Sequence, residues 1–367
     1  MTARPDMRER LAALLGGDQD RVPSNLTPTQ SRLEFLQRLA PETARNSVAV
    51  RRVGGELDDA ALQQAVASVV QRHESLRTRF VRIADQPLRI VVDAVEGVSV
   101  TVETVEDEGQ LGRALAAETR RPFELERAPL LRVAAYRIDG TTVLVVVAHQ
   151  LVADAPSMDV VATDLAAAYG QLRGEGEGMT GAARQYTDIA AEVQHDEVDE
   201  RRREAWWRDH LDGVEPLEVP TDRPRPAVQP LDPVSAERAL EANLASQEDA
   251  SPFVLAAWAA LLSRYARQRD VVLAVPVSER ERTGAATAVG PLEDVVPLRV
   301  HCGDDPTFDD LVERVRVARA AARESRLPFA QILDALQPDR DMSRAPLAQT
   351  SVRVQAVDAG RAGGAEP

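Results

Sequence analysis

An α/β fold built in two successive halves is what this sequence predicts. Three observations carry that reading. Stretches with helical apolar spacing alternate with short strand-like apolar runs in both halves of the chain. One run, Val143 to Val147, is apolar at every position, which marks a strand covered on both faces. Between the halves lies a proline-rich stretch, Gly213 to Ser235, holding Pro216, Pro220, Pro224, Pro226, Pro230 and Pro233. Prolines so closely spaced fix φ and remove backbone donors, so this stretch reads as an extended crossover.

In the first half, Leu57, Ala61, Leu62, Ala65, Val66, Val69 and Val70 mark one face of a helix. Leu88–Val92, Val98–Val102, Leu130–Ile138 and Thr142–Ala148 read as strands. A further helix is expected from Pro156 to Leu172, with Pro156 suited to its first turn. In the second half, Pro252 to Ala266 reads as a largely buried helix and Asp270 to Val277 as a central strand. Thr307 is placed to cap a helix whose apolar stripe is Phe308, Leu311, Val312, Val315 and Ala318. Val352 and Val354 are assigned to a last strand. The predicted divisions are an N-terminal extension over 1–20, a first half over 21–212, the crossover over 213–235, a shortened second half over 236–356 and a flexible tail over 357–367.

The chain has 367 residues, 44% of them hydrophobic but only 4% aromatic, so Leu, Val and Ala must fill its cores. A formal charge of −15 argues against nucleic acid as a partner, because phosphate binding needs clustered Lys and Arg. No apolar stretch approaches a membrane span, and the N-terminus has no signal-peptide pattern, so a cytoplasmic location is expected. The single cysteine, Cys302, follows an apolar run and reads as a small buried hydrophobe rather than a nucleophile. His73, His149, His195, His210 and His301 are scattered without metal-ligand spacing, so no metal or bound cofactor is expected.

Short motifs carry more specific information. Leu26-Thr27-Pro28-Thr29-Gln30-Ser31-Arg32-Leu33 is similar to an S-x-A-Q-x-R-L motif. Arg72-His73-Glu74-Ser75-Leu76-Arg77-Thr78-Arg79-Phe80 matches R-H-E-x-L-R-T-x-F throughout. Tyr186-Thr187-Asp188-Ile189-Ala190 resembles Y-x-D-Y-A, and Trp207 to Pro226 resembles W-x-x-x-L-x-G followed by L-P-T-D-R-P-R-P. Arg340 to Gln349 matches R-D-x-S-R-N-P-L-x-Q. In this order and spacing the motifs resemble those of condensation domains of nonribosomal peptide synthetases. The motif naming that superfamily, H-H-x-x-x-D-G, falls at His149-Gln150-Leu151-Val152-Ala153-Asp154-Ala155. The preceding apolar strand and the following Pro156-Ser157-Met158, where the family has W-S-M, fix the register.

The resemblance implies two chloramphenicol acetyltransferase-like subdomains forming a V-shaped pseudodimer with a central tunnel. Carrier proteins would dock at each face, and their phosphopantetheine arms would deliver an acyl thioester and an amine. The family's second histidine, proposed to take or orient a proton, is here Gln150. A glutamine amide accepts no proton at any relevant pH, though it can hydrogen-bond and position an amine. His149 is the other candidate catalytic residue. Successive strand residues point to opposite faces, so if Gln150 faces the reaction centre His149 faces the core. The aspartate of the motif, Asp154, is expected to be structural and to pair with Arg280 from the second half.

Further departures are Glu34 for the aromatic of the first motif, Ala155 for the motif glycine, Gly290-Pro291-Leu292-Glu293-Asp294-Val295 for G-x-F-V-N-T, and Glu324 to Ala330 for H-Q-D-x-P-F-E. The resemblance therefore implies a condensation-like protein impaired in catalysis. It would dock carrier proteins or other synthetase modules, or recruit a tailoring enzyme, as related non-condensing domains do. The alternative is a working acyltransferase that forms an amide or ester. Heterocyclisation fits poorly, because His149 stands where those domains have an aspartate, and epimerisation would also need a base.

Overall fold

The computed structural model describes residues 23–93, 95, 98, 100–193, 197–229, 236, 249–339 and 341–355. The chain forms two compact units that are discontinuous in sequence. Among the described residues, the first takes those up to Val193 together with Glu279–Leu292, and the second takes those within Gln194–Ser278 and Glu293–Val357.

The first unit is built around a four-stranded sheet. Its strands are β2 (Asn46–Gly54), β5 (Val100–Thr104), β6 (Leu131–Ile138) and β7 (Thr141–His149), in the order β2-β7-β6-β5. Only β5 and β6 run parallel. The central strand β7 shows why its run is apolar throughout. Leu144, Val146 and Ala148 point into one core with helices α2 (Asp59–Arg72) and α4 (Ala155–Arg173). Val143, Val145 and Val147 point into the opposite core, with Leu111 of α3 (Glu108–Arg120). Burial on both faces removes the usual alternation. The remaining elements are β1 (Ser24–Asn25), α1 (Pro28–Leu39), the hairpin β3 (Thr78–Ile83) and β4 (Gln86–Val91), and α5 (Tyr186–Glu192).

The second unit holds α6 (Glu197–His210), α7 (Ser251–Ala266), β8 (Asp270–Ser278), β9 (Glu293–His301), α9 (Phe308–Glu324) and α10 (Phe329–Leu336). The stretch of the chain between β8 and β9 opens with the short α8 (Glu279–Thr283), which belongs to the first unit. The core gathers Leu255, Val271, Leu273, Leu298, Val312, Val315 and Trp207. Trp207 is fully buried, and its indole N–H donates to Ser325 O at 2.8 Å.

The crossover runs without helix or strand as far as it is described, to Gln229. Three of its N–H groups are met from elsewhere in the chain: Leu217 donates to Gln349 Oε1 and Glu218 to Gln268 Oε1, each at 2.8 Å, and Gln229 donates to Met342 O. Pro230, Pro233 and the tail over 357–367 lie outside the described residues, as does Arg340.

Three expectations need correction. Val352 and Val354 do not form a strand; a single parallel bridge joins Ser351 to Ala274. Phe308 is exposed rather than part of the α9 stripe, because it begins the helix just after the Thr307 cap. The α7 helix is buried on one face only, leaving Trp258, Leu261 and Tyr265 exposed on the other. Among the described residues no helix is long and apolar enough to cross a membrane, and no cluster of His, Cys, Asp or Glu could hold a metal ion. Cys302 is half-buried, and burial pushes its thiol up.

Candidate functional site

Strand β7 ends at His149, and the chain turns through Gln150 to Val152 before entering α4. His149 is 2% exposed. Its Nδ1 accepts the Leu151 N–H at 3.1 Å, so Nε2 carries the proton and donates to Gln37 Oε1 at 3.4 Å. Its ring meets Phe123 edge-on. Burial holds the imidazole down to about 4, and the nearby Arg45 and Arg132 act in the same direction. His149 is therefore a neutral core imidazole with both nitrogens engaged inside the protein.

Gln150 is half-buried. Its backbone N–H donates to Arg45 O at 2.9 Å. Its side-chain amide has no hydrogen-bond partner among the described residues.

The turn is held rigidly by parts of the sequence far from it. Val152 and Ala153 return their N–H groups to His149 O at 2.9 and 3.1 Å. Gln30 Nε2 donates to Leu151 O at 3.1 Å, and Ser75 Oγ donates to Val152 O at 2.6 Å. Both side chains are buried. Gln30 itself is fixed by a capping box with Thr27 at the start of α1. Thr27 Oγ1 lies 2.7 Å from Tyr186 OH. Glu74 Oε1 accepts the Thr187 N–H at 2.7 Å. His73 Nε2 and Arg72 Nε reach Asp164 Oδ2 at 2.8 and 3.0 Å, tying the end of α2 to α4. The first, second and fourth motifs thus meet around one turn.

Asp154 caps α4, accepting the Ser157 N–H at 3.0 Å. Arg280 binds it side by side: Nη1 reaches Oδ2 at 2.7 Å and Nη2 reaches Oδ1 at 2.8 Å. The Ser157 hydroxyl donates to Asp154 Oδ1 at 2.7 Å, and the Leu292 N–H donates to Oδ2 at 2.9 Å. Arg280 spends further donors on Ala288 O and on Ser157 Oγ. By sequence position Arg280 falls in the second half. Its segment, Glu279–Leu292, belongs to the first compact unit, so the pair lies inside that unit. Gly290 lies so close to Tyr186 that a Cβ there would meet the ring at 2.4 Å. Ala155 begins α4 in helical backbone, so nothing there demands the family's glycine.

Two other departures are carboxylates engaged inside the protein. Glu34 is buried and accepts from Arg82 Nη1 at 2.6 Å. Asp294 accepts the Val295 and Phe329 N–H groups at 2.9 and 3.1 Å. Gln30, Ser75, Ser157 and Tyr186 were not singled out as site residues from sequence. Ser157 had only an indirect local signal, since Asp154 ahead of Pro156 is a helix-start pattern whose cap accepts from the third residue on. Gln30 stands at the glutamine of the first motif, but nothing local shows that it or Ser75 meets a carbonyl more than seventy residues away.

This mixed α/β architecture is shared with solved condensation-type domains of peptide synthetases. The chain belongs to the condensation-domain family, whose profile matches residues 21–362. It is 33% identical to a linear gramicidin synthase of Brevibacillus parabrevis over 91% of this chain and 7% of that protein. It is 31% identical to phosphinothricin tripeptide synthetase PhsC of Streptomyces viridochromogenes over 94% of this chain and 34% of that protein. It thus spans a small part of these synthetases. Among solved structures, the X-domain in the complex of the X-domain and OxyB from teicoplanin biosynthesis aligns with a TM-score of 0.73 and 29% identity, covering 96% of this chain and 78% of that one. The starter condensation domain of rhizomide synthetase shares the fold, with a TM-score of 0.79 at 20% identity over 93% of this chain and 79% of that one.

Proposed function

We propose that this condensation-family chain is a docking or recruiting module of nonribosomal peptide biosynthesis that forms little or no amide bond itself. The observation that carries the reading is the state of the two motif positions. His149 is a buried neutral imidazole with both nitrogens engaged, and Gln150 is an amide. Neither offers a base to an attacking amine, and general acid–base help is typically worth about 10²–10⁴-fold in rate. The similarity to an X-domain found in complex with OxyB supports a recruiting role, with a tailoring enzyme as the partner class. Carrier proteins with phosphopantetheine-borne groups are the other partners, and no resident cofactor is required.

One observation favours a second reading, an active acyltransferase. The Gln150 amide is unpartnered among the described residues and could position a nucleophile. Holding two reactants together supplies on the order of 7–11 kcal/mol without a base.

A single-turnover assay with loaded carrier proteins separates the two. The recruiting module binds a carrier and gives no amide product, and Gln150→His restores none, because Glu34 and Asp294 have also replaced family residues. Robust turnover by the unmodified protein, unchanged in Gln150→Ala, would sink the recruiting reading.

A further inference from the structure

Helix α7 turns Leu255, Ala256, Ala259 and Leu262 into the core of the second unit. Its opposite face is apolar as well. Trp258, Leu261 and Tyr265 are 39%, 44% and 61% exposed, at the i, i+3, i+7 spacing of one continuous stripe. Exposed apolar residues scattered singly are normal, but a stripe of them marks a contact surface. The Trp258 ring is held in place, its Nε1–H donating to Thr350 Oγ1 at 3.1 Å. Ala257 and Arg264 flank the stripe and are exposed too. No acidic residue occurs in α7, and Arg264 has no ion-pair partner among the described residues. Trp, Tyr and Arg together are the residue types that anchor protein interfaces.

These residues complement a second copy of themselves. Two α7 helices set antiparallel about a twofold axis at Leu261 bring that leucine against its own copy. Trp258 then faces the partner's Arg264, a cation–π contact made twice by symmetry. Ala257 leaves room for the partner's Tyr265. The paired positions recur about every three and a half residues, the period of a helix–helix seam. A parallel pair would instead oppose arginine to arginine and align the helix dipoles unfavourably. A foreign acidic helix would find a single cation on this face, because the other exposed positions are aromatic, aliphatic or alanine.

We propose that the exposed face of α7 is a self-association surface that joins two copies of this chain in an antiparallel pair centred on Leu261. One helical seam covers less than the roughly 800 Å² a side of a standard interface. The pair is therefore weak, with a Kd in the micromolar range.

Sedimentation velocity of the full chain over a micromolar concentration series reads the association. The unmodified chain should pass from monomer to dimer as concentration rises. Leu261→Glu and Leu261→Lys, at an exposed position, should each weaken the dimer about tenfold or more, since each sets like charges together at the axis. Mixed in equal amounts, the two variants should pair again as a heterodimer, because position 261 meets only itself across the twofold. Arg264→Ala should weaken the dimer about fivefold or more through loss of both cation–π contacts. A monomer at every concentration, a dimer indifferent to either charge at position 261, or variants that stay apart when mixed would overturn the proposal.

Discussion

Arg280 and Asp154 meet in a two-point ion pair, with N–O distances of 2.7 and 2.8 Å and both side chains almost fully buried. Both carboxylate oxygens also accept from nearby N–H or O–H groups. Such a pair adds little net stability over an apolar replacement, but breaking it from one side strands a charge. Asp154→Ala and Arg280→Ala should each cost roughly 3–5 kcal/mol. Denaturant unfolding checks this, and wild-type midpoints in both variants would show that the pair contributes nothing.

His149 makes stability depend on pH. Its folded value of about 4 lies below the value of about 6.5 expected for the unfolded chain, so the unfolded state binds more protons between them. The stabilisation is fully present above the unfolded value and is lost as pH falls toward the folded one. At pH 5 the loss from this group should be about 2 kcal/mol. An NMR titration of the His149 ring reads the same quantity directly, and a midpoint near 6.5 would contradict the buried, neutral state.

Gly290→Ala tests the close approach to Tyr186. The ring is buried and its hydroxyl is bonded to Thr27, so it cannot retreat freely. Overpacking of this kind costs about 1–3 kcal/mol. In a Tyr186→Ala background the same change should be nearly neutral, and additive losses in the double variant would refute the steric account.

Gln30→Leu and Ser75→Ala each leave a buried carbonyl of the turn, Leu151 O or Val152 O, without its donor. Each should cost about 1–3 kcal/mol. Hydrogen exchange should also quicken at the Val152 and Ala153 amides, which close the turn onto His149 O. Unchanged exchange in both variants would mean the turn holds itself.

How much of this was legible in the sequence depended on how strongly each segment is buried. Strand β7 and helices α2 and α4 carry long apolar patterns because they meet cores along their length. Strand β2 went unrecognised because it is an edge strand with Ser47 and Ala49 as its buried residues and arginines beyond them. Helix α3 buries only Leu111, and α6 is dominated by charge with Trp207 as its anchor. Motif register pointed to Asp154 and Arg280, which do pair. The contacts that fix the turn were not legible, since periodicity records which face is buried and says nothing of a glutamine meeting a carbonyl 121 residues away.

The way the units are threaded bears on how this chain can be recombined. The stretch between β8 and β9 is counted with the first unit, although both strands are counted with the second. A cut at the proline-rich crossover, the obvious joint in the sequence, would therefore send Arg280, Val289 and Gly290 away with the wrong partner. A chimera joined there would inherit a guanidinium, a core valine and a tight glycine shaped for another domain's aspartate and tyrosine. Grafting would have to move Glu279–Leu292 with the first unit as a cassette, leaving a hairpin of foreign strands to receive it at Ser278 and Glu293.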